Sequence, residues 1–269
     1  MLHSKALRVG VSVWLGLQLT AAVAQAQDTN ASNNANSPLT PAITFNFQDY
    51  YVPDIIGLPD REANQYLQRG LLPYNLFGMQ QLFRYTLPLA TAPTFPGGSE
   101  TGLGDLFLVN FSVLPTFPGN IQVALGPLLV APTASADVLG SGKWQAGPAI
   151  AVVAPQKWGL LAGLLQHQQS FAGDEDRPDV SLLTFQPIVT YNLQQGWYLR
   201  SSGIWNFDFE NDNHFIPVGL GIGNVWKVDE KTTANLFIEP QYTVWDNDFV
   251  GTPRWQIFVG LNLQFAVGK

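Results

Sequence analysis

The chain has 269 residues, of which 46% are hydrophobic, 12% are charged and none is cysteine. The absence of cysteine excludes a disulfide scaffold and any cysteine-ligated metal site, and the net charge of −7 argues against a nucleic-acid partner. Soluble domains carry about 25% charged residues, so this chain has too little charge for an ordinary water-exposed surface. No apolar run past residue 25 is long enough for a membrane-spanning helix.

The amino terminus has the pattern of a secretory signal peptide over residues 1–26. Two basic residues precede an apolar stretch at residues 9–23, and an A-x-A cleavage motif follows at residues 24–26. We expect cleavage before Gln27; an uncleaved anchor is the alternative. Residues 27–41 are rich in Asn, Ser, Thr and Pro without periodicity, which predicts a disordered, solvated linker.

From residue 42 onward, long segments alternate apolar with polar or very small residues and end at Gly, Pro, Asn or Asp. In Arg254 to Phe265, every second side chain is apolar and the others are polar or glycine, with Phe258 as the single exception. Membrane-spanning strands need about 9–11 residues, whereas strands in soluble proteins average about 5–6. The length of these segments therefore favours a barrel in lipid over a soluble β-sandwich, which is the alternative.

The predicted fold class is all-β, a transmembrane antiparallel up-and-down β-barrel of 12 strands over residues 42–265, followed by a tail at 266–269. Short and long connections alternate along the chain, which places both termini on the periplasmic side and makes the strand number even. Ten strands have strong alternation: 81–89, 103–114, 121–131, 143–154, 158–171, 180–193, 197–208, 214–228, 233–245 and 254–265.

Two weaker strands are predicted at 42–52 and 63–74. The second has a rival interpretation, because Pro59 and Gly70 could begin and end a short helix, which would give ten strands plus an N-terminal plug. Proline inside a strand also opposes the pattern, since it removes a donor from the hydrogen-bond ladder, and we expect bulges or rim positions there. The prolines concerned are Pro88, Pro127, Pro148, Pro187, Pro217 and Pro240.

An ordered set of motifs runs through these strands. It comprises Thr101-Gly-Leu-Gly-Asp-Leu106, Gly126-Pro127, Leu139-Gly-Ser-Gly-Lys-Trp-Gln-Ala-Gly-Pro148, Ser170-Phe-Ala-Gly-Asp174 with Asp176-Arg177-Pro178-Asp179-Val180, and Gln186-Pro187 through Gly196-Trp197-Tyr198-Leu199. Over roughly residues 42–265 the set resembles the bacterial outer-membrane family labelled "transporter" or MetA-pathway of phenol degradation. The resemblance implies that residues 64–73 and 81–88 are successive strands, which favours twelve. It also implies a barrel that passes small molecules, aromatic compounds among them.

If the polar faces point inward, the lumen contains a small set of charged and amide side chains. One interpretation is that Glu239 pairs with arginines and stiffens the barrel. The other is that these groups form a constriction that selects solutes by charge and hydrogen bonding. The lumen or constriction candidates are Arg84, Lys143, Arg200, Asp208, Glu239, Gln186 and Gln241.

The acidic loop at residues 174–179 is predicted to lie on the extracellular side. Its carboxylates, Asp174, Asp176 and Asp179, are weak candidates for a divalent cation site, and a solvated loop is the favoured interpretation. We expect no catalytic residue and no cofactor, although Asp212 and His214 lie close enough in sequence to suggest a hydrolase as a third hypothesis.

The sequence as a whole predicts a channel or transporter for small hydrophobic or aromatic molecules in the outer membrane of a Gram-negative bacterium. The main alternative is a structural or surface-interaction barrel with an occluded lumen. Expected partners are outer-membrane lipid and lipopolysaccharide, a small-molecule solute and no nucleic acid. The barrel-assembly machinery is a further expected partner, because Gly260 to Phe265 resembles a terminal β-signal.

Overall fold

A computed structural model describes residues 30–266, so the predicted signal peptide and the last three residues lie outside the described residues. Residues 30–36 are helical, and a short 3-10 helix spans Asp137–Leu139. Within residues 30–266, no helix combines the length and apolar character needed to cross a bilayer. The β segments are β1 (Ile43–Ile55), β2 (Ala63–Leu76), β3 (Met79–Pro93), β4 (Ser99–Leu103), β5 (Leu106–Val113), β6 (Gln122–Ala131), β7 (Lys143–Gln156), β8 (Gly159–Gly173), β9 (Ser181–Asn192), β10 (Trp197–Ser201), β11 (Trp205–Asp208), β12 (Asn213–Gly219), β13 (Gly221–Lys227), β14 (Thr232–Asp246) and β15 (Pro253–Phe265).

The segments form a closed antiparallel barrel. Three pairs of segments, β4 with β5, β10 with β11 and β12 with β13, each continue one strand, so the barrel has 12 strands. Closure is made by β1 and β15, which pair from Ile43 opposite Phe265 to Ile55 opposite Pro253. The predicted fold class is confirmed, and residues 63–74 belong to strand β2 rather than to a helix.

The connections alternate as predicted. One end of the barrel, called here the turn end, holds the start of β1, the end of β15 and tight turns such as residues 77–78 and 157–158. The opposite, loop end holds the long connections, including residues 132–142 and 174–180.

Proline explains why twelve strands are divided into fifteen segments. Because proline has no N–H, the ladder lacks a donor where it lies, and the facing strand loses its regular pairing. The prolines and the interruptions opposite them are Pro88 with residues 104–105, Pro187 with residues 202–204, and Pro240 with Leu220. Pro217 lies at a register shift that follows Ile216. The extra residue opposite Pro88 and the register shift at Pro217 are the bulges expected there. Opposite Pro187 and Pro240 the ladder is interrupted without a bulge, because the two strands have equal numbers of residues across the gap.

The remaining two prolines occupy the middle of the wall. Pro127 and Pro148 face each other in unbroken register between β6 and β7. The lost pairing appears on their other sides, where the β5–β6 ladder skips residues 126–127 and the β7–β8 ladder skips residues 147–148.

The outer surface of the barrel is apolar, as the alternation predicted. Phe45, Leu125, Ile150 and Leu236 are among many large apolar side chains that are exposed there. The interior differs from the expectation of polar inward faces, because one side of it is also apolar. A cluster of buried side chains from β3 and β5 to β8 fills that side, and Leu82, Phe111 and Leu160 in it are fully buried.

Three of the sequence motifs meet at the loop end. The Asp105 carboxylate accepts hydrogen bonds from the Ser141 N–H (2.7 Å), the Ser141 hydroxyl (2.9 Å) and the Ala134 N–H (3.2 Å). From the other side, the Arg177 guanidinium donates to the carbonyls of Asp137 (2.7 Å) and Gly140 (2.5 Å). The loop at residues 132–142 is therefore held by two charged side chains from neighbouring connections.

Replacing the Asp105 carboxylate should loosen this loop. We expect Asp105→Ala to lower the free energy of unfolding by about 1–3 kcal/mol, because two backbone N–H groups lose a charged acceptor, and to speed proteolysis within residues 132–142. Asp137→Asn is the matched control, since its side chain is 99% exposed and makes only a 4.0 Å contact with Arg177. Equal cleavage rates for wild type and Asp105→Ala would contradict the assignment.

Candidate functional site

The turn end of the barrel is filled by the segment at residues 30–41, called here the plug. Side-chain amides of the wall bind its helix: Asn192 donates to Asn33 Oδ1 (2.8 Å), and Asn235 donates to the Ala35 carbonyl (3.3 Å). Leu39, which is 2% exposed, joins the apolar cluster. The prediction of a solvated linker is therefore corrected for residues 30–41. The segment has the composition of a solvated chain, but amides inside the barrel supply the hydrogen bonds that water would otherwise make.

A buried ion pair occupies the centre of the polar side. Arg200 Nε lies 2.7 Å from Glu239 Oε2, and Glu239 is completely buried. The carboxylate also accepts the Ser202 N–H (2.7 Å), the Ser202 hydroxyl (2.7 Å) and the Gln241 amide (2.9 Å). Because Ser202 begins the interruption opposite Pro187, Glu239 supplies an acceptor for a backbone donor in a broken part of the ladder.

Aromatic rings form a layer around this ion pair. The Arg200 guanidinium lies 3.6 Å from the centroid of the Phe237 ring, a cation–π geometry. Phe258 contacts Phe237 edge-on at 4.9 Å and stacks flat on Tyr50 at 4.1 Å. Phe258 is the residue that broke the alternation of its strand, and it points inward as its position requires.

Two cavities lie on either side of this aromatic layer. On the loop side, a vestibule of about 370 Å³ includes Tyr50 and Gln256 in its wall. On the turn side, a lower cavity of about 100 Å³ includes Phe258 in its wall and residues of the plug in its floor. The layer and the plug therefore enclose the lower cavity from both ends.

The lower cavity is lined by three arginines, Arg69, Arg84 and Arg200. Arg69 donates to the Gln48 side chain (2.7 Å), and its Nε atom is buried without an acceptor. Within residues 30–266, neither Arg69 nor Arg84 has a carboxylate oxygen within 4.0 Å. The inner wall thus carries more positive than negative charge at this level.

The predicted lumen candidates fall into two groups. Arg200, Glu239 and Gln241 form one network, and Arg84 and Gln186 line the same cavity as Arg200. The other two lie at the loop end. Lys143 pairs with Asp179 (3.3 Å), while Asp208 accepts the N–H groups of Glu210 and Asn211.

The loop carboxylates are not brought together. Asp179 is engaged by Lys143, and Asp174 accepts the N–H of Asp176 (3.0 Å). Across residues 30–266, no group of three or more His, Asp or Glu side chains is placed to hold a metal ion. His214 packs against Trp245 at 4.7 Å, and no hydrogen bond joins it to the Asp212 carboxylate in that part of the chain.

Four residues of the site were missed by the sequence analysis: Gln48, Arg69, Tyr50 and Phe237. Arg69 lies in β2, where weak alternation left helix and strand in competition. For the aromatic layer a signal was present, because an aromatic residue on a polar strand face must point into the lumen, as Phe258 does.

Comparison with known proteins supports the assignment of the fold. No protein-family model matches the chain, and no curated protein is significantly similar to it. An outer membrane channel from Pseudomonas putida F1 is similar in structure, with a TM-score of 0.62 and 13% identity over 86% of this chain and 97% of that one. The NanC porin (TM-score 0.49, 10% identity, 84% and 100% of the two chains) and an anion-selective porin from Comamonas acidovorans (0.40, 9%, 84% and 98%) are more distant.

The similarity to the first channel is one of fold. Together with the register of the strands, it defines the class: a closed, twelve-stranded antiparallel β-barrel.

Breaking the buried ion pair between Arg200 and Glu239 should lower the stability of the protein. We expect Glu239→Gln to lower the free energy of unfolding by about 3–5 kcal/mol, because Arg200 is left as a buried charge without a carboxylate. Urea titration of the purified protein, followed by tryptophan fluorescence, measures this. The control is Asp54→Asn, which removes a half-exposed pair with Arg254 at 3.7 Å and should cost less than about 1 kcal/mol. A similar loss in both variants would show that Glu239 has no special structural role.

Proposed function

We propose that the protein is an outer-membrane channel of a Gram-negative bacterium that passes small molecules, hydrophobic and aromatic ones among them. The observation that carries this proposal is a closed barrel with an apolar outer surface and an interior that holds a cavity on each side of a thin layer of side chains. An apolar outer surface suits lipid, and the cavities mark a path along the barrel axis. The wall of the vestibule includes Val52, Ile204 and Phe215, which supports hydrophobic solutes.

Passage requires that the plug moves. The plug is attached to the wall by side-chain hydrogen bonds and by the packing of Leu39. It adds no strand to the barrel, so it can leave without breaking any wall pairing. The aromatic layer would then be the remaining barrier between the two cavities.

A barrel with a permanently occluded lumen is the second candidate function. The specific observation that favours it is the filling of the interior by the Glu239 network and by the apolar cluster. In that case the protein would act through its outer surface and loops.

The proposed partners are consistent with either function. Outer-membrane lipid would cover the apolar surface, and lipopolysaccharide would surround the loop end. The barrel-assembly machinery would recognise the last strand, which ends at Phe265 and pairs with β1 to close the barrel.

Conductance of the protein in planar lipid bilayers tests the channel. We expect small, fluctuating conductance for the mature chain and a several-fold increase on deletion of residues 30–41, because the floor of the lower cavity is then removed. A cleavable thiol crosslinker supplies the control, since the natural chain has no cysteine. Joining Asn33→Cys to Asn192→Cys, which are partners in the wall contact, should suppress conductance until the linker is cleaved.

If the deletion variant is folded yet passes neither ions nor small solutes into liposomes, the channel is refuted. The occluded barrel is then the function that the structure supports.

A further inference from the structure

The charges around the lower cavity are not balanced by the protein. Of its three arginines, only Arg200 has a carboxylate partner, and that carboxylate, Glu239, accepts its hydrogen bonds from Arg200, Ser202 and Gln241. Arg69 and Arg84 remain without an acidic partner within residues 30–266. A cation removed from bulk water is stabilised when an anion is placed beside it, so the cavity is electrostatically suited to a negatively charged occupant.

The two unpaired arginines are close enough to act on one group. Arg84 lies directly opposite Leu71 on the neighbouring strand, and Arg69 lies opposite Thr86. Arg69 and Arg84 are therefore diagonal neighbours on one inward face, a spacing that long side chains bridge. Only one nitrogen of Arg69 is used by Gln48, and its buried Nε has no acceptor. Guanidinium groups bind carboxylates through paired N–H donors.

The rest of the cavity wall selects the body of the occupant. The rest of the lining is mixed: Leu164, Ile188 and Phe258 are apolar, whereas Gln186, Asn262 and Gln264 offer amide groups. The volume of about 100 Å³ is somewhat below the roughly 150 Å³ of an apolar cavity known to accept one benzene ring. This volume excludes a nucleotide, an oligosaccharide or an aromatic acid, and it fits a carboxylate with a short carbon chain.

We propose that the lower cavity is a binding site for a small organic anion, in which Arg69 and Arg84 hold a carboxylate and Leu164, Ile188 and Phe258 contact its short carbon chain. The site deepens the proposed channel function, on which it rests, by naming the charge of a favoured solute. A neutral molecule of the same shape leaves the two guanidinium groups unpaired and binds less tightly.

Calorimetric titration of the detergent-solubilised mature protein tests the site, with propionate as the probe and propionamide as its uncharged counterpart. We expect saturable binding of propionate that is about tenfold or more tighter than binding of propionamide, because charge-assisted hydrogen bonds contribute about 1.5–3 kcal/mol. Arg69→Gln combined with Arg84→Gln should reduce propionate affinity to that of propionamide. Arg254→Gln, which alters an arginine at the loop end, should leave it unchanged.

Propionate binding no tighter than propionamide binding in the wild-type protein overturns the proposal without reference to any variant. Unchanged propionate affinity in the double variant, shown to be folded by heat-modifiable gel mobility, also overturns it. Inorganic phosphate that binds as tightly as propionate refutes the role of the contacts to the carbon chain. Propionate binding in a protein that never conducts would support the site and refute only the channel, whereas conductance without propionate binding would refute only the site.

Discussion

The whole structure depends on the requirement that the backbone hydrogen bonds close into a ring. β15 pairs with β14 on one side and with β1 on the other, so no strand edge is left open. Proline inside a strand conflicts with this requirement, and the chain has several. Opposite Pro187, side chains inside the barrel replace the missing backbone hydrogen bonds. The Glu239 carboxylate accepts the Ser202 N–H, and Gln186 donates to the Ser202 carbonyl. Glu239, which the sequence analysis predicted as a solute-selecting residue, therefore also stabilises the backbone of the wall.

The interior meets a similar requirement, that buried polar groups have hydrogen-bond partners. On the side of β5 to β8, apolar side chains pack against one another and need no partners. On the other side, Glu239, Gln241 and Gln256 are joined by hydrogen bonds, and the plug supplies carbonyls to Asn235 and Gln264. Within residues 30–266, Arg69 and Arg84 have no carboxylate within 4.0 Å. The ion pair between Arg200 and Glu239 thus stabilises the polar side of the interior. Arg69 and Arg84 indicate that this side can bind an anion.

Alternation of side chains made most of the fold predictable. Period-two patterns in Arg254 to Phe265 and its counterparts identify the strands, and their length separates a lipid-facing barrel from a soluble sandwich. The site was predictable in part, because Arg200 and Glu239 lie on polar strand faces. Arg69, Phe237 and the plug were not predicted as parts of the site. Weak alternation in β2 left the inward face of that strand unassigned, and the composition of residues 30–41 is that of a solvated segment.

By itself, the sequence determined which side chains share a face and at which end of the barrel each connection lies, and it left ten and twelve strands as alternatives. These properties depend on local periodicity, which a strand expresses wherever it is placed. Only the tertiary structure decided that Glu239 meets Ser202, that Phe258 stacks on Tyr50 and that residues 30–41 lie in the lumen. Such contacts depend on strand register and on the curvature of the closed barrel, which bring together residues far apart in the chain.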